Sequence, residues 1–114
     1  LAAEVPSLLF IATSNFPDAI DDAFLSRCDL IETVGLPERP AVEAILKDTL
    51  QALAKVAPKV EGLTSNPQFS ELVEVAVGLD GRQLRKLVIS ACASSKETAL
   101  DANRLTLDAL IQAA

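Results

Sequence analysis

The stretch Ala41-Val42-Glu43-Ala44-Ile45-Leu46-Lys47-Asp48-Thr49-Leu50-Gln51-Ala52-Leu53-Ala54-Lys55-Val56-Ala57 repeats its apolar residues at spacings of three and four. Val42, Ile45, Leu46, Thr49, Leu50, Leu53 and Val56 fall on one stripe of a helix, the pattern of a helix laid on a core. Downstream the same period returns. Phe69, Leu72, Val73, Val75 and Ala76 predict a second, shorter helix that stops at Gly78, a residue suited to a helix C-terminus. Asp80 has the place of an N-cap, and Gln83 three residues on completes a capping box. A third helix then runs from Gly81 to the neighbourhood of Thr98, with Leu84, Leu87, Val88, Ala91 and Cys92 inward. Pro58 to Pro67 reads as a loop and Arg104-Leu105 as a short extended piece. Thr106 caps a last helix, Leu107 to Ala113.

Upstream the pattern differs. Ser7-Leu8-Leu9-Phe10-Ile11-Ala12-Thr13 is a short apolar run ending in Ser14-Asn15, and it reads as a central strand of a parallel sheet. Pro17 and Asp18 break the chain. Asp21 to Arg27 reads as a short helix with acidic residues in its first turn, favourable to the helix dipole. Asp29 to Val34, with β-branched Ile31 and Thr33, is a second strand candidate. Gly35-Leu36-Pro37-Glu38-Arg39-Pro40 has the composition of a domain junction. The expected fold is mostly α: a four-helix module preceded by a strand–helix–strand segment.

Bulk composition narrows the function classes. Half of the 114 residues are apolar, and the four aromatics are all Phe. The formal charge of −6 argues against nucleic-acid binding by the chain's overall field, which needs clustered Lys and Arg. The chain has no His, and Cys28 and Cys92 stand far apart without metal-ligand company, so no zinc site or other metal site is expected. Two unpaired Cys suit a reduced, cytoplasmic setting. The longest apolar run, Leu8 to Ala12, is too short to cross a bilayer, so no membrane partner is expected. The absence of Met and the early apolar run predict a piece of a longer protein.

Three places could carry chemistry, each with a plain alternative. Asn15 ends the apolar run, where α/β sheets place ligands; there it can orient a water or touch a phosphate, or it is simply a turn former before Phe16-Pro17. Arg27 follows two Asp residues; it compensates a helix dipole or serves as an arginine finger toward a neighbouring subunit's nucleotide. Gly81-Arg82-Gln83-Leu84-Arg85-Lys86 puts Arg82, Arg85 and Lys86 on one helix face at its start. Cations there oppose the dipole, which suits an anion site built on free N–H groups and two Arg; the alternative is a solvated basic face. No Gly-x-x-x-x-Gly-Lys-Ser/Thr loop occurs, so this chain alone is not expected to hydrolyse ATP.

In this order the three features resemble the AAA+ ATPases from the sensor-1 strand to the C-terminus. Leu8 to Asn15 is similar to the strand whose terminal Asn is sensor 1, and Ile20-Asp21-Asp22-Ala23-Phe24-Leu25-Ser26-Arg27 to the helix bearing the arginine finger. Asp29-Leu30-Ile31-Glu32 matches the following strand, and Gly81-Arg82-Gln83-Leu84-Arg85 resembles sensor 2. The resemblance implies that residues 1–36 are a remnant of the α/β nucleotide-binding core and residues 37–114 the helical lid. It implies catalytic roles for Asn15 and Arg27, contact with the γ-phosphate by Arg82, and nucleotide-binding places for Gly81 and Arg85. ATP and Mg²⁺ are the implied cofactors of the full-length parent, the Mg²⁺ ligands falling outside this chain. Within the family, the motifs around Arg27 and Arg82 look most like the pachytene checkpoint protein subfamily, hexamers that remodel HORMA-domain proteins. Cys28 stands where many members carry a second Arg or Phe, so a two-Arg finger is not implied. The expected parent is a ring ATPase, a hexamer, acting on a protein substrate. Two other readings compete: a non-enzymatic helical interaction module, and a clamp-loader or initiator type of AAA+ protein acting on DNA, which the acidic balance disfavours.

Overall fold

The computed structural model describes residues 7–15 and 17–114, and it divides the chain into two compact units, Leu1–Val34 and Gly35–Ala114. Phe16, part of the expected turn after Asn15, lies outside the described residues.

In the first unit the described residues hold a 3₁₀ turn, Pro17–Ala19, and one short helix, α1 (Asp22–Leu25). Asp21 caps α1, its carboxylate accepting the Ala23 amide at 2.9 Å. The expected strands are not there. Ser7–Thr13 and Asp29–Val34 carry no ladder, and the described residues contain no strand. A strand is held by hydrogen bonds to a neighbour, and neither run pairs with the other or with anything else described. The strand–helix–strand expectation is therefore wrong for this structure, while its mostly helical part stands. The apolar side chains of the first run are left exposed, Leu9 by 80%.

The second unit is built from α2 (Arg39–Ala54), α3 (Phe69–Ala76), α4 (Gly81–Ala93), α5 (Lys96–Leu100) and α6 (Leu107–Ala113), with 3₁₀ segments at Pro58–Ser65 and Ala102–Arg104. α2 begins two residues before the expected start. Pro40 sits in its first turn, where a missing N–H costs nothing. α2 also stops early, at Ala54, and the amides of Val56 and Ala57 both turn back to the Leu53 carbonyl. Val56, expected on the inward stripe, is consequently 79% exposed, and Val75 of α3 is also exposed. Val42, Leu46 and Leu50 of α2 are fully buried.

Phe69, Leu72, Val73 and Ala76 of α3, Leu84, Leu87, Val88 and Ala91 of α4, and Leu107 and Leu110 of α6 complete the core with Ala57, Val60 and Leu105. α4 packs against α2 and against α6, and α3 against both of those partners. Expected loop residues contribute too, since Val60 of the 3₁₀ segment is buried. The expected third helix breaks in two. Ser94 closes α4, and Ser95 opens α5 by accepting the Thr98 amide at 3.3 Å. Arg104-Leu105, expected to be extended, instead ends and follows a 3₁₀ turn whose Asp101 carboxylate accepts the Asn103 amide.

Candidate functional site

The best-built candidate lies at the start of α4. Gly78 (φ +104°) turns the chain after α3 in a conformation that L side chains rarely adopt. Leu79, half-buried against the core, and Leu84, fully buried, occupy the two positions of a hydrophobic staple. Between them the capping box closes. The Asp80 carboxylate accepts the Gln83 amide at 2.8 Å, and the Gln83 side-chain oxygen accepts the Asp80 amide at 2.9 Å.

At about 100° per residue, the buried residues Leu84, Leu87, Val88 and Ala91 centre on one side of α4, and Arg82 points from the opposite side. Arg85 and Lys86 flank Arg82, and all three are exposed. None forms an ion pair among the described residues, although Arg39, Lys47 and Arg104 do. Three of the ten cations of an acidic chain thus gather in five residues without partners. The Arg85 guanidinium folds back along the helix, and a Cβ placed on half-buried Gly81 would lie 3.9 Å from its Nη1.

From sequence, this helix start is expected to offer an anion free N–H groups and two Arg. Asp80 puts a carboxylate at the helix end and takes the Gln83 amide, one of the first-turn donors, while the guanidinium groups stand on the outer face. That face suits a phosphate group chemically. Among the described residues no group of three or more Asp, Glu, His or Cys could hold a metal ion.

Asn15 and Arg27 belong to the first unit. Asn15 is exposed in a bend at the end of the apolar run. Arg27 is exposed and lies beyond α1, after its cap Ser26, with its amide bonded to the Phe24 carbonyl at 3.1 Å. The short helix ends at Leu25 and Arg27 directly follows its cap, still beside the helix C-terminus.

The chain is similar in sequence to known proteins. Over 110 residues the chain is 48% identical to CD-NTase-associated protein 6 of Pseudomonas aeruginosa, covering 96% of this chain and 36% of that protein. Over 139 residues it is 32% identical to the pachytene checkpoint protein 2 homolog of Oryza sativa subsp. indica, covering 96% of this chain and 29% of the relative. The chain resembles pachytene checkpoint protein 2. A third match, the pachytene checkpoint protein 2 homolog of Xenopus tropicalis, is 30% identical over 72% of this chain and 23% of its own length. The chain spans about a third or less of the length of these curated relatives. No family model and no solved structure matches it. No helix among the described residues is long and apolar enough to cross a membrane.

Proposed function

We propose that this chain is part of an AAA+ ATPase related to pachytene checkpoint protein 2, with residues 37–114 as its helical lid, which couples ATP binding and hydrolysis in a ring to the remodelling of a protein. The observation that carries the reading is the unpaired Arg82, Arg85 and Lys86 face, aimed away from the core of its own unit. Cations pointed outward from a packed helix are placed to meet a group supplied by another part of the assembly. In this reading that partner is the terminal phosphate of ATP. Similarity along nearly the whole chain to CD-NTase-associated protein 6 and to the checkpoint homologues supports the same assignment.

Each residue then has a task. Arg82 reports the phosphate state to the helical unit, which requires different contacts before and after hydrolysis. Arg85 and Gly81 shape the same end of α4. Asn15 orients the attacking water, and Arg27 reaches the nucleotide of a neighbouring subunit. ATP supplies the phosphoryl group, and the phosphate-binding loop and Mg²⁺ ligands come from residues outside this chain.

The test is ATP turnover by the full-length protein. Arg82→Ala is expected to lower turnover at least about tenfold, in line with the loss of a charge-assisted phosphate contact. Unchanged turnover would remove the phosphate assignment. For Arg27 the readout is a mixture of Arg27→Ala and wild-type subunits, where neighbouring wild-type sites must lose activity.

A further inference from the structure

Resting on the reading that Arg82 meets a nucleotide phosphate, we propose that Asp80 is a positioning residue for Arg82, acting through the capping box and not through its charge.

Arg82 is the second residue of α4, inside a first turn whose amides have no intrahelical acceptors. Gly81 opens that turn, and glycine is a poor helix former. Without outside support, a helix beginning on glycine frays at this end, and Arg82 frays with it. The structure supplies the support in two bonds, Asp80 to the Gln83 amide and Gln83 to the Asp80 amide, at 2.8 and 2.9 Å. The Leu79 and Leu84 positions add an apolar clasp on the core side. Arg82 lies between the two partners of the box, so the box fixes where its side chain leaves the helix.

An anion-binding face with a carboxylate beside it is a poor arrangement if charge alone mattered. A neutral cap would hold the turn without repelling phosphate. If Asp80 acts by hydrogen bonding, Asn must replace it, because the amide oxygen caps a helix as well as a carboxylate does. If it acts by charge, Asn must fail.

The experiment measures ATP turnover and nucleotide binding by the full-length protein carrying Asp80→Ala, Asp80→Asn, Gln83→Ala and Arg82→Ala, alone and with Asp80→Ala added to Arg82→Ala. Loss of an N-cap corresponds to about a fivefold change in a two-state equilibrium, so kcat/KM of Asp80→Ala is expected to fall about fivefold. Asp80→Asn should restore it to within about twofold. Gln83→Ala, which keeps the Asp80 bond and favours helix, should show a smaller loss, and it serves where Asp80→Ala does not fold. In the Arg82→Ala background, Asp80→Ala should cost nothing further, since a residue acting through Arg82 has nothing left to position. Additive losses in the double variant would overturn the proposal by showing a separate structural effect, and equal losses for Asn and Ala would overturn it by showing a charge effect. Wild-type turnover in both Asp80→Ala and Gln83→Ala, with Arg82→Ala impaired, would overturn the positioning role and leave the phosphate reading standing. Wild-type turnover in Arg82→Ala would overturn the phosphate reading itself.

Discussion

The Thr98 hydroxyl donates to the Cys92 carbonyl at 2.6 Å across the break between α4 and α5. Thr98 is buried, and its hydroxyl also lies 2.9 Å from that of Ser95, whose side chain accepts the Thr98 amide. One side chain thus ties the end of one helix to the start of the next. Thr98→Val keeps the volume and removes the donor. It should destabilise the chain by about 1–3 kcal/mol, the cost of leaving a buried acceptor without its partner. For a unit of this size that is a fall in melting temperature of about 4–8 °C per kcal/mol, read by circular dichroism. An unchanged melt would mean that water replaces the hydroxyl.

The α2 stripe gives a paired prediction. Leu46 is fully buried and Val56 is 79% exposed, although both lie on the same apolar stripe in sequence. Leu46→Ala should cost about 2–5 kcal/mol, because the surrounding core closes only partly over the missing atoms. Val56→Ala should stay within about 0.5 kcal/mol of wild type. Urea denaturation of the two variants separates the cases, and comparable losses would show that Val56 is covered in solution.

Gly78 invites a backbone test. A Cβ added there meets nothing within 4 Å, so crowding cannot explain any loss. The remaining cost is conformational, from holding an L residue at φ +104°. Gly78→Ala should therefore destabilise by about 1–3 kcal/mol in thermal melts. A neutral result would mean that the turn readjusts to a negative φ.

The sequence was most readable where short-range chemistry decides. Asp80, Gln83 and Thr106 were expected as caps and are caps, because a capping bond spans only three residues. The inward residues of α4 were expected for the same reason, a period of 3.6 set by the helix itself. Periodicity places Val56 on the inward face, but it does not reveal that the helix has already ended at Ala54. The break at Ser94-Ser95 was missed because the apolar pattern continues through it. Its signal was the pair of serines, with Thr98 three residues after Ser95 as in an N-terminal cap. The Ser7–Thr13 run is not a strand because strand formation depends on a partner that its own residues cannot specify. At the candidate site the cation cluster was legible from spacing, while the carboxylate filling the helix end was read only as a cap and not as an obstacle to phosphate.

The net −6 of the chain lies mostly outside the unit that carries Arg82, Arg85 and Lys86, since residues 1–34 hold six acidic residues against the single base Arg27 and leave residues 35–114 close to neutral. A compact anion seated on the three cations is dominated by them, since screening confines its view to about 8 Å at physiological ionic strength. Under the proposed phosphate reading, what this face favours is therefore set by three neighbouring cations and not by the field of the whole chain.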